Sequence, residues 1–269
     1  MQKKLSSVVA TCVLLAMTAC SWLPEKTDET KSWPVAKLYA EAREEMDGGH
    51  YEAAIKLWER LETNYPFGNY ATQAQMEIAY AHYKTQDQAL ALAAADRFIR
   101  EHPTHPQVDY MYYLRGLISF NDQIGLLSVV YSQDPTERDP KATRESFAAF
   151  KALVDRYPNS KYAPDAADRM RYLITAMSQY EVHVANYYFR RGAYLASLNR
   201  AMGAVKDYQD APAREEALYL MVRNYEKLGM TDLQKDTARV FAKNYRNSKF
   251  MNPNGPDGAW WKFWSKSNK

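Results

Sequence analysis

Glycine, histidine and cysteine are scarce in this chain, at 10, 5 and 2 of its 269 residues. Glycines so few and scattered exclude a collagen-like chain and leave little material for a glycine-rich nucleotide loop. Two cysteines exclude a disulfide framework and a paired-cysteine metal site. The histidines are His50, His82, His102, His105 and His183. Only His102 and His105 lie close together, each beside a proline and with no third ligand nearby in sequence, so neither a metal nor another cofactor is expected. Hydrolase, metalloprotease, dinucleotide and P-loop signatures are absent. An excess of one charge is also missing: 35 Lys and Arg stand against 32 Asp and Glu, without the concentrated basic surplus of a nucleic-acid protein. The longest apolar run, Val8 to Met17, is too short to span a bilayer comfortably.

What is present suits a folded, wet-surfaced body. Apolar residues make up 46% and charged residues 25%, a balance that can bury a core and excludes a wholly disordered chain. Aromatics reach 13%, mostly as 21 tyrosines, which serve half-wet binding surfaces as well as cores.

Residues 1–19 read as a cleaved secretory signal, with Lys3 and Lys4 ahead of the apolar run and small residues after it. The segment ends in Met17-Thr18-Ala19-Cys20, which resembles the bacterial lipobox apart from Met in place of the usual Leu. That resemblance implies a lipoprotein with a diacylglycerol on the Cys20 thiol, and palmitate among its lipids. Cys12, the other cysteine, would leave with the leader. One acyl chain holds a protein only marginally, whereas two or three make membrane residence effectively permanent. Ser21 after the cysteine, by the sorting rule of such lipoproteins, favours the inner leaflet of the outer membrane, with the body in the periplasm. Residues 20–33 form a polar, lipidated tether that reaches up to about 45 Å.

From Pro34 onward one punctuation mark recurs: Tyr65-Pro66, His102-Pro103, Tyr157-Pro158, then Tyr208 and Tyr245 without the proline, at intervals of 37, 55, 51 and 37. Two intervals approach the 34 residues of a tetratricopeptide repeat. Gly49-His50-Tyr51 with Ala54, Trp58 and Leu61 resembles the second half of that consensus, and Gly192-Ala193-Tyr194 with Leu198 and Ala201 repeats it. Leu228-Gly229 with Phe241 is a further copy. Gln86-Asp87-Gln88 stands where a glycine turn belongs. No stretch alternates with the period of a strand. The expected fold is all-α, a tetratricopeptide-repeat superhelix of about five helix pairs, in which each pair buries its apolar stripe against the next. Residues 34–105 hold units one and two, and 106–250 hold units three to five. The insert 121–139 is either a loop packed on its own repeat or a partner contact, and Pro164 to about Tyr188 reads as one long helix. The tail, 251–269, is aromatic and basic.

The leader, the repeats and the strings Asn64-Tyr65-Pro66-Phe67-Gly68, Asp96-Arg97-Phe98-Ile99-Arg100, His102-Pro103-Thr104-His105-Pro106 and Gly192-Ala193-Tyr194 with Asn199-Arg200 together resemble the BamD/ComL family of outer-membrane assembly lipoproteins over residues 20–250. The resemblance implies a non-enzymatic scaffold. It would hold the barrel-forming subunit BamA by its periplasmic POTRA domain nearest the membrane, work beside other lipoproteins of the same machinery, and receive the C-terminal signal of unfolded outer-membrane β-barrel precursors.

Helical spacing gathers Tyr39, Arg43 and Met46, then Met76, Tyr80 and Tyr83 with Lys84, then Tyr113, Leu117 and Phe120 on first-helix faces. Such a groove, aromatic with basic points, suits a strand ending in an aromatic residue and a carboxylate. The same aromatics could equally fill the interior between repeats. By resemblance Tyr65, next to Phe67, is the candidate sensor of that signal, and Tyr187, Arg191 and Arg200 form the BamA contact. Aromatic residues and arginine dominate interface hot spots. Trp260, Trp261 and Trp264, interleaved with lysine, form a candidate membrane contact; docking on the last repeat and disorder are the other readings. Two further functions are open: a periplasmic repeat lipoprotein coordinating cell-wall synthesis, and a lytic transglycosylase. The latter needs a catalytic Glu in a further domain, whereas 19 residues follow Phe250.

Overall fold

A computed structural model describes residues 29–121 and 140–251. Among them are ten α-helices and no strands: α1 (Val35–Asp47), α2 (Tyr51–Asn64), α3 (Asn69–Lys84), α4 (Gln88–Glu101), α5 (Val108–Asn121), α6 (Pro140–Arg156), α7 (Ala163–Arg190), α8 (Tyr194–Asp207), α9 (Arg214–Lys227) and α10 (Thr231–Asn244). Short 3-10 turns, Glu29–Ser32 and Lys249–Met251, stand at the two ends. The chain divides into two compact units, one up to Ala81 and the other from His82. The first holds the hairpin α1–α2 and most of α3, and the second continues with helix hairpins of the same tetratricopeptide type, as the repeats predict. No helix among the described residues is long and apolar enough to cross a membrane.

The punctuation has a backbone cause. Four hairpins turn through a residue in the left-handed region: Gly49 (φ 78°), Gln86 (63°), Gly192 (75°) and Gly229 (71°). At each the amide of the turning residue donates three residues back and the next amide five back, as in Gly192 to Phe189 and Ala193 to Tyr188. This Schellman pattern closes the first helix and launches the second. The second helix is then 14 residues long in all four hairpins. It stops at Tyr65, His102, Tyr208 or Tyr245, each with φ between −134° and −128° and outside the helical region. A following proline pushes its predecessor out of the helical region at the first two. The tyrosines at 208 and 245 take the same conformation without one.

Buried residues, most of them small, recur at fixed places in three of these second helices. Ala54, Ala91 and Ser197 stand five residues after the left-handed turn and are fully buried, as are Trp58, Ala95 and Ala201 four residues further on. In the third hairpin Gly116 takes this role on α5, where an added Cβ would lie 2.4 Å from the Phe150 ring. The interval of 51 between Tyr157 and Tyr208 also has one source: α7 has 28 residues where α9 has 14. At 1.5 Å per residue α7 is about 42 Å long.

Gln86 pays for its conformation, since a left-handed L-residue other than Asn or Asp costs about 1–2 kcal/mol. Gln86→Gly is therefore expected to stabilise the protein, by roughly 0.5–1 kcal/mol after the added entropy of an unfolded glycine is subtracted. Thermal unfolding of the two proteins, with a Tm higher by about 1–4 °C in the variant, checks it.

Candidate binding surfaces

In the first unit the aromatic face stands on α1, α2 and the turn into α3. The Tyr39 ring meets Trp58 and Tyr70 edge-on, both at 5.3 Å between centroids. Trp58 has no exposed surface, whereas Tyr70 is 44% exposed. Tyr65 is half-buried and donates its hydroxyl to the Trp33 carbonyl at 3.1 Å. Two residues on, Phe67 is 90% exposed ahead of Gly68 (φ 92°) and contributes nothing to the core. Tyr39 and Tyr70 thus form an edge-on aromatic pair with solvent-facing surface, and Phe67 exposes a further ring three residues before Tyr70. Tyr70 was not singled out by spacing because its neighbours in the aromatic row come from other helices.

Arg43 is not the isolated cation that helical spacing suggests. Its guanidinium donates to Glu77 at 2.9 Å and lies 3.8 Å from Asp47. Gln73 donates to the same Glu77 oxygen at 2.8 Å. Two carboxylates against one cation leave this place without the positive surplus that a partner's carboxylate needs. Met46 and Met76, placed on the groove faces by spacing, are buried, as is Phe120 in the second unit. Tyr80 is half-buried on the first unit's part of α3; Tyr83, half-buried, and Lys84, exposed, follow in the second unit.

In the second unit Tyr113 is tied into a network. Its ring stacks on Tyr162 at 4.9 Å and 15°, and its hydroxyl donates to Asp165 at 2.7 Å. Arg169 donates to the same carboxylate oxygen at 2.6 Å and lies over the Phe120 ring. Burial pushes the Tyr113 phenol up, and its hydrogen bond to Asp165 adds to that. Burial alone would raise Asp165, but the hydrogen bonds from Arg169 and Tyr113 outweigh it and hold the carboxyl below its ordinary value. Its pairing therefore stabilises the fold above about pH 4 and is lost as the pH falls through the lowered value.

At the far end of α7, Tyr187 is 45% exposed and carries the Arg191 guanidinium over its ring at 5.4 Å. Cation–π stacking of this kind pre-orders a guanidinium that otherwise samples many rotamers. Arg200, on α8, donates to Glu181 of α7 at 3.1 Å, and Arg144 of α6 approaches the same carboxylate at 3.8 Å. Glu181 is only 8% exposed, while the two arginine side chains are 43% and 56% exposed. The hydrogen bond to Glu181, against opposing desolvation, lifts the Arg200 guanidinium above its ordinary value. Two forks around one carboxylate leave a positive surplus facing solvent, with N–H donors still available to a partner. Glu181 and Arg144 escaped the sequence reading because their partners come from helices that only the fold brings together.

Arg200 and the Tyr187–Arg191 pair both belong to the α7–α8 hairpin. Cys20, Trp260, Trp261 and Trp264 lie outside the described residues, as does the insert beyond Asn121. Among the described residues no group of three His, Cys, Asp or Glu side chains could hold a metal ion.

A family model described as YfiO, outer membrane lipoprotein, matches residues 31–240. A protein of Neisseria meningitidis serogroup A, named outer membrane protein assembly factor BamD, is 44% identical over 255 residues, covering 93% of this chain and 96% of its own. The protein of that name from Vibrio cholerae is 36% identical over 86% of this chain and 96% of its own. In Haemophilus influenzae the corresponding figures are 31%, 95% and 97%. With a family model spanning the repeats, and relatives above 30% identity aligned over nearly all of both chains, the chain belongs to the BamD family of outer membrane lipoproteins.

Proposed function

We propose that this chain is a non-enzymatic lipoprotein scaffold of outer-membrane β-barrel assembly, anchored through Cys20 on the periplasmic face of the outer membrane. The observation that carries this reading is its alignment along nearly its whole length with proteins named as assembly factors. The repeat fold fits that role, since stacked hairpins present extended surface.

Residues 106–250 hold BamA by its POTRA domain, through Tyr187, Arg191 and Arg200. The surplus of guanidinium over carboxylate at Arg144, Glu181 and Arg200 supports a carboxylate-bearing partner. Residues 34–105 receive the C-terminal strand of unfolded precursors. Exposed Phe67 and half-exposed Tyr70 beside Tyr39 support stacking of its aromatics, with Tyr65 and Tyr80 as further contacts in the same unit; Tyr83 and Tyr113 are separate candidates in the second unit. Arg43, balanced by Glu77 and Asp47, has little positive charge left for the terminal carboxylate; Lys84 is a separate candidate in the second unit. Other lipoproteins of the machinery complete the assembly.

Photo-crosslinkers placed at Tyr65 and at Arg200 in living cells test the division of labour. Nascent barrel proteins captured at the first position and BamA at the second is the expected outcome. Cell-wall enzymes captured at both would overturn it in favour of a cell-wall coordinator.

A further inference from the structure

The second unit ends in a cleft of about 500 Å³ between α7, the start of α9 and the closing turn Lys249–Met251. Its floor is apolar: Val182 and Ala213, both buried in the α7–α8–α9 core, and Phe250. Phe250 is held in place by stacking on Tyr219 at 4.9 Å and 21°. One rim is acidic, with Glu215 and Glu216 half-buried in the first turn of α9; His183 and Lys249, whose ammonium lies over the Phe250 ring at 5.3 Å, also line the cleft, so the two carboxylates exceed the one lysine. Asn186 donates to Glu216 at 2.7 Å and so fixes its carboxylate. This volume accommodates one or two large side chains.

We propose that the cleft is the docking site of this chain's own C-terminal segment, residues 259–269, with an indole from Trp260, Trp261 or Trp264 over Phe250 and Lys262 or Lys266 against Glu215 and Glu216. Three facts favour this occupant over a foreign one. The described chain stops at Met251, one residue beyond Phe250 in the cleft wall. The next seven residues, Asn252-Pro253-Asn254-Gly255-Pro256-Asp257-Gly258, are dense in the dipeptides that reverse a chain, and the eight residues up to Ala259 reach about 25–30 Å at most. A tether that short holds the segment at an effective concentration on the order of millimolar, so even a weak contact is occupied. Finally, the segment is aromatic and basic, the complement of an apolar floor with an acidic rim. Three exposed tryptophans within five residues would otherwise form an apolar patch of the kind that soluble surfaces avoid.

A photo-crosslinker replacing Trp261 in the full mature chain reads the contact, with the attachment sites mapped by mass spectrometry. Crosslinks to residues 179–186, 212–216 and 249–250 are expected, at a yield independent of protein concentration. Glu215→Lys with Glu216→Lys is expected to lower that yield roughly tenfold, as two attractive rim pairs become repulsive. Adding Lys262→Glu and Lys266→Glu to that variant restores it. Helical circular dichroism checks that the variants are folded, and Ala213→Trp, which fills the cleft from its floor, gives a second route to the same loss. Yield unchanged by the rim reversal, a dimeric crosslink that grows with concentration, or labelling that moves to lipid when vesicles of phosphatidylethanolamine and phosphatidylglycerol are added would each overturn the proposal.

Discussion

Trp58→Ala unfolds the first unit while the second stays helical. Trp58 has no exposed surface and is packed edge-on against Tyr39. Removing a buried indole costs about 3–5 kcal/mol through lost transfer energy and the cavity left behind. A unit of two helices and most of a third has few other large side chains to compensate: among the described residues, of those fully buried, only Leu38 and Leu61 share this unit with Trp58. In repeat arrays the damage stays near its origin, because each hairpin is stabilised mainly by its neighbours. Hydrogen exchange is therefore expected to rise by two orders of magnitude or more across α1 and α2 while α8 to α10 keep their protection. The Trp58 Nε1 has no hydrogen-bond partner in the structure, so Trp58→Phe, which keeps most of the ring and deletes the unpaired donor, should cost far less. Uniform loss of protection along the chain would show that the two units unfold as one. In the functional reading, Trp58→Ala also uncouples the two binding activities, with precursor capture lost and BamA retained.

Arg200→Glu should lower affinity for BamA at least tenfold, and more than simple removal of the guanidinium does. The reversal puts a second carboxylate beside buried Glu181, whose remaining cation, Arg144, is 3.8 Å away. The surplus of positive charge that faces solvent then becomes a deficit. Truncating one partner of a desolvated interfacial charge pair typically costs about 2–5 kcal/mol, and reversal adds repulsion to that loss. Because Arg200 also pairs within its own chain, the reversal is not structurally silent. Arg200→Gln, which still offers a donor to Glu181, separates the effects: it should leave thermal stability almost unchanged and still weaken binding. Affinity of both variants equal to that of the parent would remove Arg200 from the interface.

The second helices of the hairpins were readable in advance, and the reason is local. A left-handed turn, an apolar stripe and a stop residue sit within seventeen consecutive positions, so Gly49 with Tyr65 or Gly192 with Tyr208 declares a helix without reference to the rest of the chain. Gln86 shows how far that reading extends. Its place in the register marked the turn although glycine was missing, and the backbone takes the same left-handed step. The 28-residue α7 was equally plain, because nothing between Pro164 and Tyr188 breaks a helix.

The candidate surfaces were less legible. Spacing put Met46, Met76 and Phe120 on groove faces, but all three are buried, because periodicity marks an apolar face without telling which side of a first helix is wet. Pairings such as Arg43 with Glu77 or Tyr113 with Asp165 join residues 34 and 52 positions apart. No local pattern encodes them, and they change what each residue can offer a partner. Arg43 loses its surplus charge in this way, and Arg200 gains a fixed orientation.

Purifying the chain from cells at its native level and identifying its stoichiometric partners by mass spectrometry tests whether it is a scaffold of barrel assembly. BamA recovered in a one-to-one ratio, together with other outer-membrane lipoproteins, is the result this account requires. A preparation that holds cell-wall synthases or hydrolases at stoichiometry and no BamA would contradict it.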